Sequence, residues 1–409
     1  ILEKSVALYR QIGDRHGLSL ALMGLGQACW RRASTTDRDL LKARLHHTEA
    51  MDIQRALGDR YGTAISIMNL GTVATLAGQL DDAMRLLADA REEYKELGNS
   101  LGVASAQINW AVAAIRGQRY DEARSAVAES MALIERSGSA YRMLWPRTVM
   151  TQIELRAGNY GLAQQLGSRG LQESQALTSE DWAAMNARYL GDIALAMGQY
   201  TEAAVRYQLS NQSAQRARLG DLALYCILGE GLSLLFNRQV TEAKMRFMAV
   251  QDLTAQTIAP QGIAAVVGMG LCALAEAQYE AAITQFMQAL DAMDADTLDI
   301  PEVEWQDVQL DRWRTLAFIG LCDARVASGD FSGGLSALRA AMRNLQELRQ
   351  PMVVMAVVAA YADVTSDIAL TERTAELCAV VLNDSRVAAI DQARAQAALD
   401  KIRLRMSAW

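Results

Sequence analysis

Histidine, cysteine, proline and aromatic residues are all scarce in this chain: 3 His, 5 Cys, 4 Pro and 6% Phe, Trp and Tyr in 409 residues. Each shortage excludes something. With so few histidines, general acid–base catalysis lacks its usual carrier. His46 and His47 are adjacent, so a helix would point them about 100° apart rather than toward one ligand. Cys29, Cys226, Cys272, Cys322 and Cys378 are scattered, odd in number and form no C-x-x-C pair. That pattern argues against a disulfide framework or a zinc site, and for small core residues of a cytosolic protein. No apolar run approaches the roughly 18 residues of a membrane span. The balance of 40 Lys+Arg against 47 Asp+Glu gives a net charge of −7, which disfavours non-specific binding to nucleic acid or anionic lipid. The phosphate loop G-x-x-x-x-G-K-[ST], the G-x-S-x-G elbow, the H-E-x-x-H zinc motif and the dinucleotide fingerprint are all missing, so nothing in the chain points to catalysis, a cofactor or a metal.

What the chain does have is aliphatic residues: 51% of it is hydrophobic, a composition that favours helices. Its length fits two or three compact domains or one elongated array.

Self-similarity decides between them. A turn-plus-helix signal recurs as Gly78-Gln79-Leu80-Asp81-Asp82-Ala83, Tyr120-Asp121-Glu122-Ala123, Gly158-Asn159-Tyr160-Gly161-Leu162-Ala163, Gly198-Gln199-Tyr200-Thr201-Glu202-Ala203 and Val240-Thr241-Glu242-Ala243. Ala43, Ala83, Ala123, Ala163, Ala203 and Ala243 follow one another at steps of 40, Ala282 at a step of 39 and Gly334 at 52. Twelve residues before each signal residue stands a second small position: Gly71, Ala111, Thr151, Gly191, Gly231, Gly270 and Cys322. Seven after it stands a third, including Ala90, Ala289 and Ala341. Small residues let two helices approach while large ones pack into the neighbouring grooves, so each unit reads as a helical hairpin. In residues 62–101, helix A starts after Gly62 and ends at a left-handed Gly78; helix B opens on Asp81 and Asp82, suited to a helix N-terminus, and Gly98-Asn99 closes the unit. Gly13-Asp14, Gly58-Asp59 and Gly220-Asp221 read as the same closure. Pro260, Pro301 and Pro351 fall between repeats, whereas Pro146 is expected to kink a helix A or delay its start.

The small/large/small spacing, the aromatic in the turn and Asn69-Leu70-Gly71 at the end of helix A resemble the tetratricopeptide repeat (TPR) in a 40-residue form. The resemblance implies an all-α fold: a right-handed α-solenoid superhelix of about nine to ten TPR-like hairpins. Residues 1–16 read as the second half of a truncated repeat, 17–350 as tandem repeats with insertions near 31–38 and 291–304, and 351–409 as degenerate capping helices. Tyr9 matches Tyr94 and Gly13 matches Gly98, so the expectation is that the full-length protein continues upstream. The acidic insertion fails as a calcium loop: counted from Asp294, it offers Leu298 where a ligand is needed and Asp299 where Gly is needed. A carboxylate clamp also fits poorly, because of Met68, Ile108, Thr148, Arg188, Leu228 and Val267 only Arg188 is basic.

Repeats of this kind bind along the concave surface lined by helix A. The exposed inner residues expected from the register are Asn69, Asn109, Gln152, Arg188, Tyr189, Asp192 and Tyr225, with Arg116 and Arg156 at the ends of two A helices. The chain also resembles the C-terminal sensor of bacterial STAND (NLR-like) signal-transduction NTPases. That implies a non-enzymatic, cytoplasmic module whose groove takes a protein, peptide or small-molecule inducer and controls an upstream nucleotide-binding domain of the same polypeptide. The alternative is a free-standing scaffold or peptide receptor.

Overall fold

The computed structural model describes the chain except for residues 31–36, 256–259, 295–309, 349–350, 368–370, 385 and 408–409. The described residues form twenty helices and no strand. They are α1 (Leu2–Ile12), α2 (Arg15–Trp30), α3 (Asp37–Leu57), α4 (Arg60–Leu76), α5 (Leu80–Glu96), α6 (Ser100–Arg116), α7 (Tyr120–Arg136), α8 (Ala140–Arg156), α9 (Tyr160–Ala176) and α10 (Glu180–Ala196). Next come α11 (Tyr200–Arg216), α12 (Gly220–Phe236), α13 (Val240–Thr254), α14 (Pro260–Ala275) and α15 (Tyr279–Asp294). The last five are α16 (Leu310–Ala327), α17 (Phe331–Leu348), α18 (Pro351–Asp367), α19 (Thr371–Asn383) and α20 (Ala389–Ser407). The chain is a TPR-like helical repeat solenoid. Two compact units divide it: Ile1–Arg156 with Arg169–Trp182 in the first, and Ala157–Ser168, Ala183–Leu298 and Val308–Trp409 in the second.

From α4 to α12 each helix has 17 residues and each joint three. A left-handed residue recurs every 20 positions: Gly58, Gly78, Gly98, Gln118, Gly138, Gly158, Thr178, Gly198, Arg218 and Arg238. The 40-residue sequence period is thus two equal structural halves. The Gly78 joint closes the preceding helix as a Schellman turn, with the Gly78 N–H donating to the Thr75 carbonyl and the Gln79 N–H to that of Ala74, and the Gly98 and Gly198 joints repeat the pair. Two A helices are capped by a side-chain oxygen, Asp59 accepting from the Gly62 N–H and Asn99 from that of Gly102, whereas the cap of α12, Leu219, makes no such bond.

Three local expectations are corrected. Helix A begins at Arg60, before Gly62, because Asp59 is its cap. Gly220 is the first residue of α12, and the left-handed position belongs to Arg218. Pro146 lies inside α8 without delaying its start, the helix having run from Ala140. Pro260 opens α14, a first-turn position where its missing N–H costs nothing. Residues 31–36 of the first insertion and 295–309 of the second, with Asp296, Asp299, Glu302, Glu304 and Asp307, lie outside the described residues.

The packing explains the spacing. Ala43, Ala83, Ala123, Ala163, Ala203, Ala243 and Ala282 are all 0% exposed. Four residues after the signal alanines Ala83, Ala203, Ala243 and Ala282, helix B carries a side chain that enters a notch in its own helix A, cut by the small residue twelve before the alanine. A Cβ on Gly71 would stand 2.6 Å from Leu87, on Gly231 2.7 Å from Phe247, and on Gly270 2.7 Å from Phe286. The following helix A is notched over the same ring, fourteen residues before its own signal: a Cβ on Gly229 would come within 2.5 Å of Tyr207, on Gly268 within 2.4 Å of Phe247, and on Gly320 within 2.4 Å of Phe286. One large side chain thus locks three helices. Where the notch residue is Ala111, the plug shrinks to Val127, both buried in one cluster. All five cysteines are buried thiols outside any disulfide, as expected of core residues; burial pushes the Cys226, Cys272 and Cys322 thiols up to about 12.

The plug of the first complete hairpin is His47. Its ring is 0% exposed against Gly26, and neither nitrogen has a hydrogen-bond partner. Burial, with repulsion from His46, lowers it from 6.5 to about 4.

Two outcomes are expected. Gly231→Ala should destabilise the chain by about 1–3 kcal/mol. In a cycle with Phe247→Val, which copies the Ala111/Val127 pair, the double variant should be more stable than the sum of the singles predicts, by about 1 kcal/mol or more in urea denaturation. For His47, the folded state binds fewer protons than the unfolded chain between pH 6.5 and about 4. Stability should therefore fall as pH drops through that window, by about 3 kcal/mol at its lower end. His47→Leu, which copies Leu87, should remove that part of the slope; an unchanged stability-versus-pH curve would refute the assignment.

Candidate functional site

The nine residues expected to line the groove separate into structural and clustered ones. In the first unit, Asn69 and Gln152 are buried rather than exposed. Asn69 stands fourteen residues before Ala83, the register at which Gly229 and Gly268 cover a plug, so it faces the joint between hairpins rather than the groove. Its amide nitrogen is buried without a hydrogen-bond partner. Asn109, at the same register one repeat on, is half-buried; its Nδ2 donates to the Ser105 carbonyl at 3.0 Å and its Oδ1 accepts from Thr72 Oγ1 at 3.4 Å. Arg116 donates to the Thr75 carbonyl near the end of α4, which pins one A helix to the next. Arg156 is half-buried and near Tyr120, whose hydroxyl burial raises despite the opposing charge of Arg156.

Arg188, Tyr189, Asp192 and Tyr225 converge in the second unit. Arg188 and Tyr189 are 3% and 4% exposed, again against the expectation of exposure. Tyr189 occupies the fourteen-before register, at which Gly229 and Gly268 cover a plug, so this face of α10 is a packed one. The Arg188 guanidinium lies 4.2 Å from the Tyr189 ring centroid and 4.8 Å from that of Tyr225, and its Nε is 3.8 Å from Asp192 Oδ2. A desolvated cation held between two rings gains about 2 kcal/mol from their faces, which helps offset the cost of burying it.

Tyr207 completes the cluster and escaped the sequence reading, although its register is that of Leu87 and Phe247. It is the one plug that carries a hydroxyl. That hydroxyl donates to Asp192 Oδ1 at 2.6 Å, and the Tyr225 hydroxyl donates to the same oxygen at 2.8 Å. The two rings pack edge to face at 6.4 Å. Burial and the adjacent Asp192 drive the Tyr207 phenol well above its ordinary value. Arg312, on α16, is the second missed member. Burial opposes its charge, but Tyr225, Tyr207, Asp192 and Asp391 hold it above the ordinary arginine value. Tyr225, Asp192 and Arg312 are half-buried, and Arg188, Tyr189 and Tyr207 are buried. Among the described residues no group of three or more His, Cys, Asp or Glu could hold a metal ion, and no helix is long and apolar enough to cross a membrane.

The hairpins and their interlocking define a tetratricopeptide-type repeat protein. No family model matches the chain, and no curated protein matches it in sequence. Solved structures share the fold at low identity. NprR, a quorum sensor from B. thuringiensis, in its apo form is 13% identical with a TM-score of 0.56, over 83% of this chain and 91% of that one. A Rap protein complexed with competence and sporulation factor is 11% identical with a TM-score of 0.54, over 96% and 99%. A STAND protein with a tetratricopeptide repeat sensor from Pyrococcus horikoshii is 14% identical with a TM-score of 0.53, over 71% of this chain. This chain spans 47% of that protein's length.

Removing the shared acceptor should unbalance the whole cluster. Asp192→Ala removes the acceptor shared by two tyrosine hydroxyls and the carboxylate beside Arg188, so a loss of about 3–5 kcal/mol is expected. Asp192→Asn keeps an acceptor and should lose clearly less. Equal losses in urea denaturation would mean that the charge, not the hydroxyls, sets the cost.

Proposed function

We propose that the chain is a sensing module that binds a peptide, a segment of a partner protein or a small-molecule inducer on the helix A side of its repeats. The observation that carries this reading is the cluster of Arg188, Tyr189, Asp192, Tyr207 and Tyr225, an aromatic and charged group built into otherwise aliphatic repeats. Asp192 and Tyr225 offer a ligand an acceptor, a hydroxyl and a ring face. Asn109, Arg116 and Arg156 are polar contacts of the same helix class in the first unit. Peptide-type ligands are supported by the NprR structure solved with its cognate peptide NprX, which shares this fold at 12% identity and a TM-score of 0.54.

The ligand's effect on the cell requires something it can switch. We place that element upstream in the same polypeptide, as a nucleotide-binding domain, in line with the STAND architecture of the Pyrococcus protein. To act, the ligand must bind the active arrangement better than the resting one. A free-standing receptor is the second reading, favoured by the Rap comparison, in which the shared fold covers 99% of a protein complexed with its factor.

The test starts with peptides selected from a random displayed library on the wild-type chain. Those peptides are then measured against Tyr225→Ala and Asn109→Ala. A loss of about tenfold or more at Tyr225→Ala is expected for removal of a buried aromatic contact. Undiminished affinity of every selected peptide for both variants removes the groove assignment and leaves the fold untouched. The reading frame before Ile1 separates the two architectures: a nucleotide-binding domain there supports the switch, and its absence supports the free receptor.

A further inference from the structure

In the second unit, Arg386, just before α20, and Ala389, its first residue, lie across joints far back in the chain. The Tyr160 hydroxyl, at the first residue of α9, donates to the Arg386 carbonyl at 2.7 Å across 226 residues of sequence. The two left-handed glycines nearest in register show the same cover. A Cβ on Gly158 would stand 2.5 Å from Arg386 Cγ and 3.1 Å from its Cα, and a Cβ on Gly198, one repeat later, 2.8 Å from the Ala389 Cβ. By contrast Gly13, Gly58, Gly78, Gly98, Gly138 and Gly329, the equivalent residues elsewhere, have nothing within 4 Å of such a Cβ. Covering two helix A–helix B joints exactly one period apart is a specific fit of a short segment to the repeat, not the stacking of a terminal hairpin on its neighbour.

The segment is held from behind as well. On α20, Arg394 pairs with Asp323 of α16 and, at 3.2 Å, with Asp363 of α18, which also takes Lys401 at 3.0 Å. Asp391, in the first turn of α20, is half-buried; burial raises its carboxyl to about 6 against the opposing charges of Arg394 and Arg312.

We propose that residues 386–394 form an intramolecular strap across the Gly158 and Gly198 joints, held by the Tyr160–Arg386 bond and by the ion pairs of Arg394, that lifts off while the repeats beneath it stay folded. The strapped and released forms are two states of the second unit, and the strap stands on its own contacts.

Hydrogen exchange on the full chain tests it. Tyr160→Phe and Asp363→Asn should each speed amide exchange in 386–394 by about tenfold or more, with α4–α7 and α11–α13 as protected as in the wild type. Unchanged exchange of 386–394 in both variants overturns the strap, and so does a loss of protection that spreads equally through α11–α13.

Discussion

Successive hairpins at Tyr207, Phe247 and Phe286 are held together by one side chain of helix B seated in a notch of two successive A helices. Everything else about the repeat follows from keeping that plug in place. The signal alanine must be small because helix B there touches helix A closely. The notch must be Gly when the plug is Tyr or Phe, and becomes Ala when the plug is Val. The sequence makes the same trade at Thr151 and Gly167, where a larger notch residue accompanies a plug with no side chain at all. Packed interiors behave this way because a buried void forfeits contacts and a surplus methylene forces its neighbours to shift. A repeat can therefore tolerate wide variation at each position while its paired volumes stay nearly constant.

The charged cluster of the second unit grows out of the same constraint. Tyr207 fills its plug site with a ring, as Phe247 and Phe286 do, but brings a hydroxyl into a place without water. A buried hydroxyl needs a partner, and Asp192 supplies it. A carboxylate there needs a counter-charge, which Arg188 provides at 3.8 Å. The guanidinium in turn is flanked by Tyr189 and Tyr225, and Tyr225 returns a second hydrogen bond to Asp192. One oxygen atom on a plug thus accounts for four further polar or aromatic residues. His47 shows the opposite outcome in the first unit: a polar plug whose nitrogens gained no partner, and which remains neutral because burial makes its charged form costly.

How much of this could be read from the chain depends on whether the determinant is a size or a direction. The 40-residue step was legible because alanine and glycine are conspicuous, and Arg188, Tyr189, Asp192 and Tyr225 could be picked out because they interrupt aliphatic helices. The 20-residue symmetry of the joints was half hidden, since Gln118, Thr178, Arg218 and Arg238 adopt the left-handed conformation that glycine advertises elsewhere. The turn's hydrogen bonds and the flanking helices impose it on them. Asn69 was placed in the groove because its register on helix A was known, yet the direction of its side chain depends on whether a plug stands opposite. Arg312 and Asp391 carry no local signal, because what joins them to the cluster is the fold of the second unit and not any spacing.

That last point bears on what closing a repeat array means physically. A linear stack gains stability only from nearest neighbours, so an opening at one end has no reason to be felt several hairpins away. A contact such as Tyr160 to Arg386 changes this within the second unit, because it adds a bond between residues that the stacking order keeps far apart. Loosening α20 then exposes the joints at Gly158 and Gly198 together, and a perturbation at either joint reaches α20 in return, as is required of any two sites linked through one equilibrium. This coupling allows a fold whose stability is otherwise assembled from neighbour to neighbour to respond as a unit, with the strapped and released forms of 386–394 as its two states.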